Sequence, residues 1–234
     1  MSDTNRRLLL RERPTGRIDD TTFQLDPRPV PEIGDGEALV RLEYISIDPT
    51  NRTWIGEEPT YLPPVAIGEV MRAGGIGRVV ASRHPGYPEG ALVQGLFGWQ
   101  DYAVLSDAAG AFVMPEVPGV STSAFLGVLG MTGLTAYVGM HDIGRPQEGE
   151  TVVVSAAAGA VGSVAAQIAK IAGARVVGIA GGPDKCAMLT DRLGLDAAVD
   201  YKAPDWRAQL KAATPDGIDV DFENVGGEIM DAVF

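Results

Sequence analysis

Apolar positions change their period twice between Thr151 and Ala180. Thr151-Val-Val-Val-Ser155 is almost wholly apolar and β-branched, which predicts a strand buried on both faces of a parallel sheet. A small-residue turn follows. Beyond it Val161, Val164, Ala165, Ile168 and Ala172 recur at helical spacing and predict a helix face packed on that sheet. Gly173 is the expected C-terminal cap, Arg175 to Ala180 a second buried strand, and Asp219 to Glu223 a later strand followed by a helix. The first half of the chain reads instead as short strands separated by Pro and Gly clusters: Arg7 to Leu10, Glu37 to Ile47, Gly77 to Ser82, Ala91 to Phe97 and Asp101 to Leu105. Glu37 to Ile47 alternates in part, suggesting one solvated face. Ser121 to Met140 reads as helical, with Gly130-Met-Thr-Gly133 interrupting it, and the polar stretch Gly144 to Glu150 leads into the first buried strand. The fold class is therefore α/β.

The turn Ala156-Ala-Ala-Gly-Ala-Val-Gly162 is where this pattern implies chemistry. Gly159 leaves no side chain between backbone and a phosphate, and Gly162 lets the helix lie close on the strand. The first glycine of G-x-G-x-x-G is replaced by Ala157. Unpaired N–H groups and the positive dipole end at a helix start suit a pyrophosphate, so the backbone of Gly159, Ala160, Val161 and Gly162 is the expected cradle for a dinucleotide. An NAD site commonly places Asp or Glu about 20 residues past the glycines. Here Gly181-Gly182-Pro183-Asp184-Lys185 stands near that place, with room for a 2′-phosphate and a cation to meet it. The reading is NADP(H). Asp184, early in a helix, can point to solvent. Taken alone, Lys185 is equally a solvated helix lysine. Cys186 stands near a helix start, where a thiol pKa can fall, but no histidine base adjoins it and an inert, partly buried thiol is the favoured reading.

Composition narrows the classes. A chain of 234 residues holds one large or two small domains. Its apolar stretches fall short of a membrane span, and Met-Ser-Asp-Thr-Asn-Arg-Arg is no secretory signal. One cysteine excludes an internal disulfide, in keeping with a cytoplasmic location. A net charge of −12 disfavours nucleic acid and anionic membranes. A catalytic zinc needs three protein ligands, usually Cys and His, against a supply of only Cys186, His84 and His141. No metal is expected; His84 and His141 are expected at the surface or capping.

The chain resembles the zinc-independent medium-chain dehydrogenase/reductases, nearest the prostaglandin reductases and curcumin-type alkenal/one reductases. The matching pieces are Ser46-Ile-Asp-Pro-Thr-Asn-Arg52, Gly68-Glu-Val-Met-Arg-Ala-Gly-Gly-Ile-Gly77, Gly98-Trp-Gln-Asp-Tyr-Ala103, Gly130-Met-Thr-Gly-Leu-Thr-Ala-Tyr137, Ala156-Ala-Ala-Gly-Ala-Val-Gly-Ser163 and Phe222-Glu-Asn-Val-Gly-Gly227. They run in order along nearly the whole sequence. No histidine follows Gly68 as it would in the zinc branch. The resemblance implies a GroES-like β-barrel-type domain over 1–125 and a partial, doubly wound Rossmann domain over 126–234. It implies that Lys185 and Tyr201 hold the 2′-phosphate, that Asn224 lies near the nicotinamide, and that Thr50, Asn51, Trp99 and Gln100 line the substrate cleft, with Tyr61 a weaker candidate.

The implied reaction is NADPH-dependent conjugate reduction: hydride goes to the β-carbon of an enone or enal while a donor meets the developing enolate oxygen. In the family that donor is a tyrosine in a segment after Phe234. The chain is accordingly expected to be C-terminally truncated, binding NADPH weakly and turning over slowly or not at all, with a homodimer in the full-length form. A quinone oxidoreductase of the same superfamily and a non-catalytic NADPH-binding protein remain open.

Overall fold

The computed structural model describes residues 4–58 and 60–234; Met1-Ser-Asp3 of the start read above for a secretory signal, and Pro59 of the segment that carries Tyr61, lie outside the described residues. The chain divides into two units, Met1–Leu126 and Gly127–Phe234.

The first unit is antiparallel. Strand β1 (Thr4–Leu10) pairs with β2 (Phe23–Pro29) in register from Thr4↔Pro29 to Leu10↔Phe23. The sequence pattern hid β2 because it carries Pro27 and Pro29. Proline is tolerated there because β2 pairs on one edge only, with β1. After β3 (Ala38–Ile45) and helix α1 (Pro49–Trp54) come β4 (Gly75–Ser82), β5 (Leu92–Gly95), β6 (Tyr102–Leu105) and β7 (Phe112–Val113). These five strands lie in the order β6-β3-β4-β5-β7 over a core of Val40, Val79, Val93, Phe97 and Leu105. Strand β3 does not keep one solvated face along its length. Irregularities at Leu39/Val40 and Leu42/Tyr44 shift its register, so its first three residues are buried and its last three exposed.

The second unit opens with α2 (Met131–Val138), which continues as a wider π-helical turn over Gly139–Gly144. The helix thus starts inside the stretch expected to interrupt it. Gly130 is its extended N-cap, and the Leu134 N–H closes the first turn on the Gly130 carbonyl at 2.9 Å. Then β8 (Thr151–Val154), α3 (Ala160–Ile171), β9 (Arg175–Ala180), α4 (Pro183–Ala187), β10 (Ala197–Asp200), α5 (Trp206–Ala213), β11 (Val220–Phe222) and α6 (Gly227–Val233) alternate. The four strands are parallel in the order β10-β9-β8-β11. Val152 and Val154 face the layer that contains α3, while Val153 faces the layer with Trp206, Leu210 and Ile229. Each of these fully buried valines stabilises the fold by about 1.5–3 kcal/mol.

The face of α3 differs from the expected one. Its buried residues are Gly162, Ala165, Ala166 and Ala169; Val161, Val164 and Ile168 flank them half-buried, and Ala172 is exposed. Small side chains face the sheet because the helix approaches it closely, and the larger ones are displaced to the sides. Gly173, with φ 85°, ends the helix as expected.

Candidate functional site

The order β10-β9-β8-β11 puts the reversal of strand order between β8 and β11, where parallel α/β sheets bind ligands beyond the carboxyl ends of the strands. At the end of β8 the chain turns through Ala156, whose φ of 45° is left-handed, a conformation that costs a non-glycine residue of order 1–3 kcal/mol. The special backbone position is therefore Ala156 and not Ala157. Ala157 is fully buried, its N–H donating to the Ile179 carbonyl at 3.0 Å, so it is selected for size and not for backbone freedom. Gly159 is the N-cap of α3, and the Ser163 N–H bonds the Gly159 carbonyl at 2.9 Å. The N–H groups of Ala160, Val161 and Gly162 precede that first helical bond and are the ones a helix start leaves for a ligand. A Cβ on Gly162 would lie 2.4 Å from the Ala156 carbonyl oxygen, so glycine is what lets α3 pack this close to the turn; that same carbonyl accepts the Gly159 N–H at 2.8 Å, which takes Gly159 out of the expected set of free amides.

Over the turn lies a cavity of about 310 Å³ lined by Ala156, Gly159, Gly181, Lys185, Tyr201 and Val225, among others. It brings together three of the expected cofactor residues, Gly159, Lys185 and Tyr201. The room left by Gly181 is taken by Tyr201: a Cβ on Gly181 would sit 2.8 Å from the phenol ring and its hydroxyl. Lys185 and Asp184 are exposed on α4, and among the described residues no ion pair engages either side chain. Asp200, at the end of β10, accepts the Gly182 N–H at 2.8 Å and the Lys202 N–H at 3.0 Å. Those bonds hold its carboxyl below the usual carboxylate range.

Asn224 does not line that cavity; it sits just past β11, tied to the end of β8. Its backbone N–H donates to Ser155 Oγ at 2.7 Å, and its Nδ2 donates to the Ser155 carbonyl at 2.8 Å. Ser155, fully buried, donates in turn to Glu223 Oε1 at 2.8 Å, and the same oxygen accepts the N–H groups of Val225 and Gly226. Burial pushes the Glu223 carboxyl up, but the Gly226 and Val225 N–H groups with the Ser155 hydroxyl outweigh it and leave it below its ordinary value. The sequence reading missed Ser155 and Glu223. The available signal was a lone hydroxyl ending a buried valine run and an acid ending an apolar strand. Next to them, Asp221 has both carboxylate oxygens buried with no partner among the described residues, and burial, followed by the charge of Glu223, raises its pKa to about 6.

In the first unit the structure separates the four expected substrate residues. Asn51 is 5% exposed and wholly committed to the backbone: Oδ1 accepts the Asp48 N–H at 2.6 Å and Nδ2 donates to the Arg72 carbonyl at 2.9 Å. It is a framework residue that fixes the start of α1. Trp99 donates from Nε1 to the Ser46 carbonyl at 3.0 Å and packs edge-on against Phe23. Gln100 is held by the Phe97 carbonyl at 2.7 Å and by Asn5 at 3.3 Å. Both line a cavity of about 340 Å³ that Thr50 and Asn51 do not reach. Thr50 is paired instead with Tyr61, hydroxyl to hydroxyl, and Tyr61 is largely exposed.

His84 takes the capping role, one of the two expected for it. Its side chain is 7% exposed, with Nδ1 accepting the Gly86 N–H at 2.9 Å and Nε2 bonded to Asp107 at 2.8 Å, so the ring organises the β4–β5 loop. His141 packs against Tyr137 with ring centroids 4.3 Å apart. Cys186 is half-buried, and burial, then the charge of Asp200, pushes its thiol pKa up. Among the described residues no group of three or more His, Cys, Asp or Glu could hold a metal.

Residues 6–113 match the family described as N-terminal domain of oxidoreductase, and residues 160–234 the family described as zinc-binding dehydrogenase. The chain is 48% identical to the NADPH-dependent curcumin reductase of Escherichia coli (strain K12) over 231 residues, 98% of this chain and 66% of that protein. It is 38% identical to the 2-alkenal reductase (NADP(+)-dependent) of Nicotiana tabacum over 239 residues, 98% of this chain and 68% of that protein. The crystal structure of CurA in complex with NADPH from Vibrio vulnificus superposes with a TM-score of 0.90 at 44% identity, covering 97% of this chain and 67% of that one. The chain spans about two thirds of the length of these relatives.

Proposed function

This chain belongs to the zinc-independent medium-chain dehydrogenase/reductases, in their NADP-dependent enone reductase branch, and from that premise we propose that it serves NADPH-dependent reduction of the carbon–carbon double bond of α,β-unsaturated ketones and aldehydes. The observation that carries the proposal is the cavity over the turn, which holds a tyrosine hydroxyl and a lysine that no described residue pairs with. The residues suit the coenzyme by shape and charge. The amides of Ala160, Val161 and Gly162 receive the pyrophosphate, while Gly159, whose own N–H donates to the Ala156 carbonyl at 2.8 Å, contributes the absence of a side chain. Lys185 and Tyr201 take the 2′-phosphate, the lysine as a point charge with no competing partner. Asn224, fixed by Ser155, is assigned to the nicotinamide side. When bound, the coenzyme supplies the hydride for the β-carbon. Thr50 and Tyr61 are the hydroxyls offered to the substrate, with Trp99, Gln100 and Asn51 as the framework behind them.

A homodimer in the cytoplasm that binds neither nucleic acid nor membrane belongs to the same proposal. The net charge of −12 supports the exclusion of nucleic acid and anionic membranes and the single cysteine supports the location, while the homodimer, assigned to the full-length form, rests on the resemblance alone. No described helix is long and apolar enough to cross a membrane. The test is titration with NADPH and NADH, followed by coenzyme oxidation at high protein concentration with a β-substituted enone and with a quinone. Tighter binding of NADPH and faster oxidation with the enone are expected. Equal affinity for the two coenzymes overturns the cofactor assignment, and preference for the quinone overturns the substrate class.

A further inference from the structure

We infer that Asp200 is a positioning residue for the 2′-phosphate end of the coenzyme, tying the segment that carries Lys185 to the segment that carries Tyr201; the inference rests on the NADPH reading above. Asp200 ends β10, directly across from Ala180 at the end of β9. One carboxylate oxygen, Oδ1, accepts both the Gly182 N–H and the Lys202 N–H. The first bond fixes the bend at Gly182, φ 101°, from which α4 starts. The second fixes the turn after β10, where the Tyr201 N–H donates to the Ala180 carbonyl at 3.1 Å.

Apart from that backbone bond and the β9–β10 pairing, the side chains of the two lips anchor them weakly. Helix α4 has five residues and buries none of them, and Tyr201 and Lys202 are exposed. The phenol ring lies where a Gly181 side chain would be, so any slip of one lip moves both phosphate ligands. A free carboxylate this close would repel a phosphate dianion. Asp200 does not line the cavity, and its charge is directed into two backbone donors. An acid that an NAD site would offer to the ribose is thus placed one strand away and spent on backbone.

Calorimetric titration with 2′,5′-ADP and with 5′-AMP tests this without turnover. Asp200→Ala is expected to weaken 2′,5′-ADP about tenfold while changing 5′-AMP by less than about twofold. Asp200→Asn keeps Oδ1 as an acceptor and is expected to stay within about threefold of the parent. A merely structural role would lower both ligands alike. Should Asp200→Ala fail to fold, Asp200→Glu, which keeps the charge but misplaces the acceptor, must weaken 2′,5′-ADP more than Asp200→Asn does. Unchanged binding in Asp200→Ala, parallel loss of both ligands, or an Asn variant as impaired as Ala or more impaired than Glu, overturns the inference. A parent protein that binds 2′,5′-ADP no better than 5′-AMP would sink the NADPH reading instead.

Discussion

Replacing Asp221 by Asn should stabilise the protein at neutral pH and leave it nearly unchanged in acid. Asp221 projects from β11 with both oxygens buried and unpartnered, beside the charge of Glu223. Folding therefore favours its protonated form, and its pKa rises from 3.8 to about 6. A carboxyl raised on folding contributes its full stability below its unfolded pKa, and that contribution is lost as pH rises through the folded value. The loss is thus spread between about pH 4 and pH 6 and is level above about pH 7. At ~1.36 kcal/mol per pH unit the rise corresponds to about 3 kcal/mol. Because the residue is only partly buried, solvent screening brings the expected gain to about 1–2 kcal/mol. Urea unfolding of both proteins at a series of pH values reads the difference as a gap in midpoint at constant slope. The gap should open across pH 4 to 6. A gap independent of pH, or an Asn variant less stable than the parent at pH 8, refutes the reasoning.

Gly162→Ala places a methyl group 2.4 Å from the Ala156 carbonyl oxygen, so α3 must back away from the turn. A loss of about 1–3 kcal/mol in unfolding free energy is expected, with NADPH affinity falling at least tenfold; unchanged NADPH binding by fluorescence would contradict the close approach. Lys185→Gln removes one charge-assisted bond worth about 1.5–3 kcal/mol, so NADPH should weaken roughly 10- to 100-fold while NADH changes little. Parallel losses for both coenzymes would detach the lysine from the phosphate. Cys186 should react slowly with iodoacetamide at pH 7.5, its thiol pKa being raised by burial; labelling as fast as a free thiol would show that the residue is not shielded.

The sequence made the strand, turn and helix at 151–173 legible because the apolar period switches there over a run long enough to read. Gly159 was legible in that turn, Lys185 and Tyr201 joined it only through the family resemblance, and the fold brings the three to one cavity. Strand β2 was hidden because its residues alternate poorly and carry two prolines; only its pairing with β1 makes it a strand. The packed face of α3 was read in part, with Ala172 wrongly included and Ala166 and Ala169 overlooked, because a hydrophobicity pattern weights Val and Ile above Ala, whereas close packing on a sheet selects the smaller side chain. Asn51 drew attention as a polar residue in a matching motif, and nothing local reveals that the Arg72 carbonyl consumes its amide. Ser155 with Glu223 and Gly182 with Asp200 are joined by hydrogen bonds over 68 and 18 residues of sequence. Such pairs become visible only once the parallel register is fixed.

Four of the seven residues from 156 to 162 are already alanine, and two more are glycine. Systematic truncation to alanine, the usual way of finding where a ligand sits, has almost nothing to remove there and would return silence at the centre of the proposed coenzyme site. What this stretch contributes is an outline, enforced at Gly162 by the clash that an added carbon would cause. Mutagenesis must therefore work by enlargement, and libraries that vary only side-chain chemistry will find their hits at the rim, around Lys185 and Tyr201, while the amide floor stays beyond their reach.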